Sequence, residues 1–119
     1  MKSIRFILLL CVLSFLAMAL SCSNDNSTTP PNNTIIIRDD LYDPASLTVN
    51  VGTPVIWRHE GANQHTVTSG TPTVNPGTLY DSGTLTNGCG FQFTFNATGT
   101  FPYFCRVHGV AHTGTISVR

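Results

Sequence analysis

Charge is scarce in this chain. Asp, Glu, Lys and Arg make up 10% of its 119 residues, and they cancel to a formal charge of zero. Globular proteins usually carry about a quarter. A nucleic-acid binder with a broad basic face is therefore excluded. So is a disordered acidic chain, because 41% of the residues are hydrophobic. No amphipathic helix of convincing length is present, and the glycines are scattered at turns with no phosphate-cradling loop. No nucleophile–base set or carboxylate pair stands out, so hydrolytic chemistry has no candidate. Methionine is absent after Met18. The length fits one domain.

The first residues read as an address. Lys2 and Arg5 precede an apolar run from Phe6 to Leu20. That run is short for a membrane span and suits the core of a signal peptide. It ends Ala19-Leu20-Ser21-Cys22. Small residues before a Cys are the pattern of a lipoprotein cleavage site, with Cys22 acylated after removal of residues 1–21. An ordinary secretory signal cut nearby is the alternative. Either way the protein is expected to be exported, to a bacterial envelope if lipid-anchored, facing the periplasm or the cell surface. Cys11 leaves with the leader. The remainder holds four arginines against six acids, a net −2. Residues 22–33 are polar and proline-bearing and read as a flexible tether. The folded domain is expected over 34–119, small enough for a metal to matter to its stability.

Within that domain, short β-rich runs alternate with turn signals. They are Thr34–Arg38, Leu47–Val51, Val55–His59, His65–Thr68, a short edge at Tyr80–Ser82, Phe91–Phe95, Thr100–Cys105 and Thr115–Val118. Period-2 alternation puts Leu47, Val49 and Val51 on one face. It does the same for Val55, Trp57 and His59, and for Phe91, Phe93 and Phe95. Seven to eight strands at this spacing predict an all-β, Greek-key sandwich.

The chemistry is concentrated in Cys105-Arg106-Val107-His108-Gly109-Val110-Ala111-His112, a C-x2-H-x3-H loop between two strands, with His65 about forty residues upstream. Thiolate with imidazoles suits copper or zinc better than calcium or magnesium. A structural zinc site more often has paired cysteines. His2Cys with a weaker fourth ligand is the donor set of type 1 copper. His59 reads as a surface residue. Cys89 is a leftover cysteine in an exported chain; pairing with Cys105 would destroy the cluster, so Cys89 is expected to be unpaired. The aromatic residues Trp57, Phe91, Phe93, Phe95, Phe101 and Tyr103 read as core.

Several segments in order resemble the cupredoxins of the plastocyanin, pseudoazurin and amicyanin group. They are Tyr42-Asp43-Pro44 before LTV, Gly52-Thr53-Pro54-Val55-Ile56-Trp57, His65-Thr66-Val67-Thr68-Ser69, Asp81-Ser82-Gly83, Phe91–Phe95, Gly99–Cys105 and Gly114–Val118. The similarity spans nearly all of residues 35–119. It implies a single copper ion, Cu+ or Cu2+, with His65, Cys105 and His108 as equatorial ligands. The family's axial Met falls two residues before the glycine opening the last strand; here that position is His112. An imidazole there is a stronger donor than a thioether. We expect a lower potential and a green or red site in place of a blue one. If His112 points away, a backbone carbonyl near Gln64 or a water takes its place.

The resemblance implies a monomeric one-electron carrier, without enzymatic chemistry of its own. Redox partners would dock where His108 reaches the surface, with Gly109, Val110 and Ala111 as an uncharged rim. A lipid on Cys22 would hold the carrier near membrane-bound partners. Two alternatives stand beside it: a copper-handling protein of the envelope, or a small copper enzyme with an open coordination position. A multi-copper oxidase is excluded by the single ligand set.

Overall fold

The structure is a computed structural model that describes residues 21–22 and 30–119, without the side chain of Ser21. The expected signal segment up to residue 20 and the tether residues 23–29 lie outside the described residues. The described residues contain nine strands and no helix. They are β1 (Ser21–Cys22), β2 (Thr34–Ile37), β3 (Tyr42–Asp43), β4 (Ser46–Val49), β5 (Pro54–His59), β6 (Thr68–Ser69), β7 (Cys89–Thr94), β8 (Gly99–Cys105) and β9 (Gly109–Val118). Eight of these fall within residues 34–119, so the all-β sandwich expected from the sequence is what forms.

One sheet has the order β1-β7-β5-β2-β3 and the other β4-β9-β8-β6. From β4 to β8 the chain changes sheet at every step. Two pairings are parallel, β2 with β5 and β4 with β9, and the rest are antiparallel. The period-2 pattern explains which side chains fill the space between the sheets. In β5 the inward set is Val55, Trp57 and His59; in β9 it is His112, Gly114, Ile116 and Val118. Ile35, Ile37, Tyr42, Val67, Tyr80, Leu85, Phe91, Phe95 and Tyr103 complete the core, with Phe93 partly buried against it. Trp57 touches Tyr80, Phe91 and Tyr103 with ring centroids 5.5–5.7 Å apart. Such aromatic pairs add to their area burial. Gly114 lies opposite Tyr103 in the register, and a Cβ there would collide with that ring. The ring covers the glycine, so both are needed at this crossing.

Several expectations are corrected. Val51 does not join the face of Leu47 and Val49: β4 ends at Val49, and Val51 is exposed beside the turn where Gly52 takes φ +83°. His65–Thr68 is not a continuous strand; His65 and Thr68 make single bridges to Leu85 and Asp81, and the strand proper is Thr68–Ser69. The Tyr80–Ser82 edge reduces to that one bridge at Asp81. The last strand starts at Gly109, because the inward alternation of Ile116 and Val118 continues back through Gly114 to His112. His59 is not a surface residue but 2% exposed. Cys89 is not unpaired: it forms a disulfide with Cys22, its register partner across β1 and β7. The lipid expected on Cys22 and this disulfide draw on the same sulfur.

Candidate metal centre

The centre lies where β8, β9 and the turn between them, all of one sheet, meet the segment between β5 and β6 that carries His65. His65 is fixed by backbone bonds in both directions with Leu85, at 3.1 and 2.7 Å. Cys105 is the last residue of β8 and fully buried. A tight turn follows, in which His108 N–H donates to the Cys105 carbonyl at 3.3 Å. The β8–β9 register shifts there, pairing Cys105 with Gly109. This brings His108 back beside the thiol, while β9 carries His112 inward from the other side.

The structure brings together all four residues expected from the sequence. One ligand atom from each of His65, Cys105, His108 and His112 lies within 4.8 Å of the others. Cys105 Sγ is 3.7 Å from His65 Nδ1 and 3.6 Å from His108 Nδ1. Two donors sharing one ion at ordinary metal–sulfur and metal–nitrogen lengths stand roughly 3.5 Å apart. The spacing therefore fits a shared ion. The ring centroids of His65 and His108 are 4.8 Å apart, and those of His65 and His112 4.9 Å. His112 is 1% exposed, yet neither of its ring nitrogens has a hydrogen-bond partner. Buried polar groups are almost always satisfied. An orphaned imidazole aimed at a thiol and two further imidazoles is what a metal-ligating residue looks like without its metal. His112 does not point away, so no carbonyl near Gln64 is required.

The thiol is tuned to the same end. Burial raises its pKa, but the neighbouring His112, the Thr66 N–H, His108 and His65 outweigh that and bring it down to about 5. Thr66 N–H donates to Cys105 Sγ at 3.4 Å. Thiolate is the metal-binding form, so the site presents a soft anion with three imidazoles.

Polar partners around the ligands form two groups. On one side, Arg106 N–H donates to Thr66 Oγ1 at 2.9 Å, Thr66 Oγ1 bonds Thr68 Oγ1 at 2.9 Å, and Thr68 donates to Asp81 at 3.2 Å. Asp81 also pairs with Arg106 Nε at 2.8 Å. This closed circuit clamps the turn after Cys105. On the other side, Asp39 lies 3.1 Å from His65 Nε2. It accepts the N–H groups of Asn63 and Ala62 at 2.8 and 3.1 Å. The Asn63 N–H, then His65 and the Ala62 N–H, hold its carboxyl well below the usual range.

Sequence reasoning missed two neighbours of the site. Asp39 carries no motif, since its role depends on a contact twenty-six residues away. His59 did carry a signal, its parity with Val55 and Trp57. It is buried with its ring centroid 5.1 Å from that of His65, and neither nitrogen has a partner. Burial lowers its pKa, so it sits neutral behind the ligand. His108 alone of the four is exposed. Around it Val107 and Val110 are 56% and 81% exposed, so apolar surface flanks the ligand.

Comparison with known proteins agrees with this geometry. The family model described as a cupredoxin-like domain matches residues 9–118. No curated protein matches. Among solved structures, a purple cupredoxin from Nitrosopumilus maritimus is 26% identical, with a TM-score of 0.66, covering 72% of this chain and 98% of that one. A reduced amicyanin variant is 19% identical with a TM-score of 0.68, covering 87% and 94%. An oxidised amicyanin variant is 24% identical with a TM-score of 0.62, covering 72% and 80%. The amicyanin likenesses speak for the fold, and the family model for descent. With a two-sheet sandwich, a buried thiolate and imidazoles from a separate segment and from the β8–β9 turn, the chain belongs to the cupredoxin-like family.

Proposed function

We propose that the chain is a small exported protein that carries single electrons at one copper ion held by His65, Cys105, His108 and His112. The observation that carries this reading is the four-atom donor cluster, buried at three residues and open to solvent at His108. Copper held there would alternate between Cu(II) and Cu(I), taking one electron from a reduced partner and passing it to an oxidised one. The chain's own contribution is rigidity. The ligands are fixed by β8, β9 and the Leu85 bridge, so little rearrangement would accompany the change of charge. Partners would dock over His108 between Val107 and Val110, a small apolar contact suited to transient exchange. The leader supports residence in an oxidising envelope compartment, where a disulfide persists. A Cys22 lipid anchor and the Cys22–Cys89 disulfide are alternative states of the same sulfur.

The test is titration of the metal-free chain with Cu(II), followed by optical and electron paramagnetic resonance spectra. One equivalent should produce an intense thiolate-to-copper band that is lost in Cys105→Ser. Reversible voltammetry should follow. Loose Cu(II) binding without such a band would overturn the carrier. The second reading, copper handling, is favoured by the fourth imidazole, which strengthens binding of the oxidised ion. It predicts net transfer of copper to an acceptor chelate faster than electron exchange.

A further inference from the structure

The ligand His65 is fully buried, yet its outer nitrogen is bonded to a carboxylate that reaches solvent. Asp39 Oδ1 lies 3.1 Å from His65 Nε2, and the two side chains are 33% and 0% exposed. The carboxylate is itself held. Its two oxygens accept the N–H groups of Asn63 and Ala62 at 2.8 and 3.1 Å, in the turn leading to His65. The adjacent Arg38 is turned to Asp43 at 3.3 Å, which leaves Asp39 to His65 and the turn. Gly61 completes the cradle: a Cβ at this position would run into Asp39 Oδ1 and press on the Asp39 backbone. Asp39 follows β2, whereas His65 sits between β5 and β6, so the contact ties two distant segments together.

A carboxylate that only accepts requires the proton of a neutral imidazole to be on Nε2. Nδ1 then keeps its lone pair, and Nδ1 is the atom facing Cys105 Sγ at 3.7 Å. A hydrogen bond from the outer N–H of a ligating imidazole to a carboxylate fixes the tautomer and ring orientation and raises ligand basicity. We propose that Asp39 is the positioning residue of this centre: seated against Gly61, it fixes the ligating tautomer of His65 and strengthens it as a donor to the oxidised ion. This rests on the copper-carrier reading for its effect on potential, but the tautomer is a property of the chain alone.

The experiment uses the purified chain and the variants Asp39→Asn, Asp39→Glu and Gly61→Ala. In the metal-free chain, long-range proton–nitrogen correlation reads the His65 tautomer. In the copper form, voltammetry reads the potential. We expect His65 to be Nε2-protonated in the wild type and to lose that single tautomer in Asp39→Asn. Cu(II) affinity should fall about tenfold or more in Asp39→Asn. If Cu(I) affinity is spared, each tenfold raises the potential of this one-electron couple by about 59 mV. Gly61→Ala should shift it the same way with the carboxylate chemically intact, and Asp39→Glu should restore part of the wild-type value. The proposal is overturned if the metal-free wild type holds Nδ1–H. It is also overturned if both Asp39→Asn and Gly61→Ala lose stability while potential and tautomer stay unchanged, the result of a purely structural contact. Absence of any thiolate–copper band would sink the carrier reading, and the tautomer measurement would still decide the role of Asp39.

Discussion

The rings of Tyr42 and His112 lie 4.1 Å apart, centroid to centroid, and tilted by 37°. Tyr42 is pinned by its hydroxyl, which donates to the Thr66 carbonyl at 2.6 Å. Its ring therefore backs His112 with a surface that cannot swing aside. This is why His112 faces the thiolate, and it makes the fourth ligand a consequence of core packing as well as of the loop. His112→Met should restore a weaker axial donor. We expect a higher reduction potential and a shift of optical intensity from the higher-energy thiolate band to the lower-energy one, since axial donor strength tunes such sites. Voltammetry and optical spectra of the paired proteins check this. Equal potentials would mean that His112 does not ligate.

His59 predicts a pH dependence. It is buried, and burial lowers its pKa from the ordinary 6.5. Below about 6.5 the unfolded chain binds a proton at this residue and the native chain does not. Stability therefore falls with falling pH, from 6.5 down to the lowered native value. The slope from one such proton is at most about 1.4 kcal/mol per pH unit. His59→Leu removes the difference. Urea denaturation of the metal-free chain between pH 5 and 7 should show a shallower acid limb in the variant. Parallel limbs would place the proton-linked loss elsewhere.

The frame of this protein was legible where side-chain alternation is strict. Val55, Trp57 and His59 point inward together, as their parity requires, and the reading of His59 as a surface residue set that parity aside. The ligands were legible because Cys105, His108 and His112 are close in sequence, on β8, β9 and the turn that joins them. Asp39 was not, because a carboxylate announces a partner only once β2 and the turn before His65 are side by side. The disulfide was hidden for a similar reason. Pairing of β1 with β7 sets Cys22 opposite Cys89, and nothing in the spacing of the cysteines predicts it.

The circuit around Thr66 predicts a separation of stability from colour. Thr66 Oγ1 accepts from the Arg106 N–H and bonds Thr68 Oγ1, whereas its N–H donates to the thiolate. Thr66→Val keeps the volume and the N–H but removes the hydroxyl. A buried donor left unsatisfied costs about 1–3 kcal/mol, and the Arg106 N–H is partly buried, which sets the lower end of that range. Urea unfolding of the metal-free variant should show a loss of that size, while the thiolate–copper band stays in place. Loss of the band at unchanged stability would mean that the hydroxyl acts on the ligand loop and not on the fold.

Cys22 can enter only one covalent bond through its sulfur. In the structure that bond is to Cys89 and closes a loop across 67 residues. A crosslink of this kind stabilises by about 2–4 kcal/mol, chiefly by restricting the unfolded chain. Strand β1 contributes only two residue pairs to its sheet, so without the bond little holds it there. In unacylated protein, Cys89 should resist alkylation until a reductant is added, and Cys89→Ser should lower Tm. In protein recovered from membranes with an acyl mass on Cys22, Cys89 should alkylate at once under native, non-reducing conditions. Intact-mass spectrometry of the two fractions, before and after alkylation, reads both states directly. An acylated chain whose Cys89 stays protected even after unfolding in denaturant would require another partner for that thiol, and Cys105 is the one it must not have if copper is to bind.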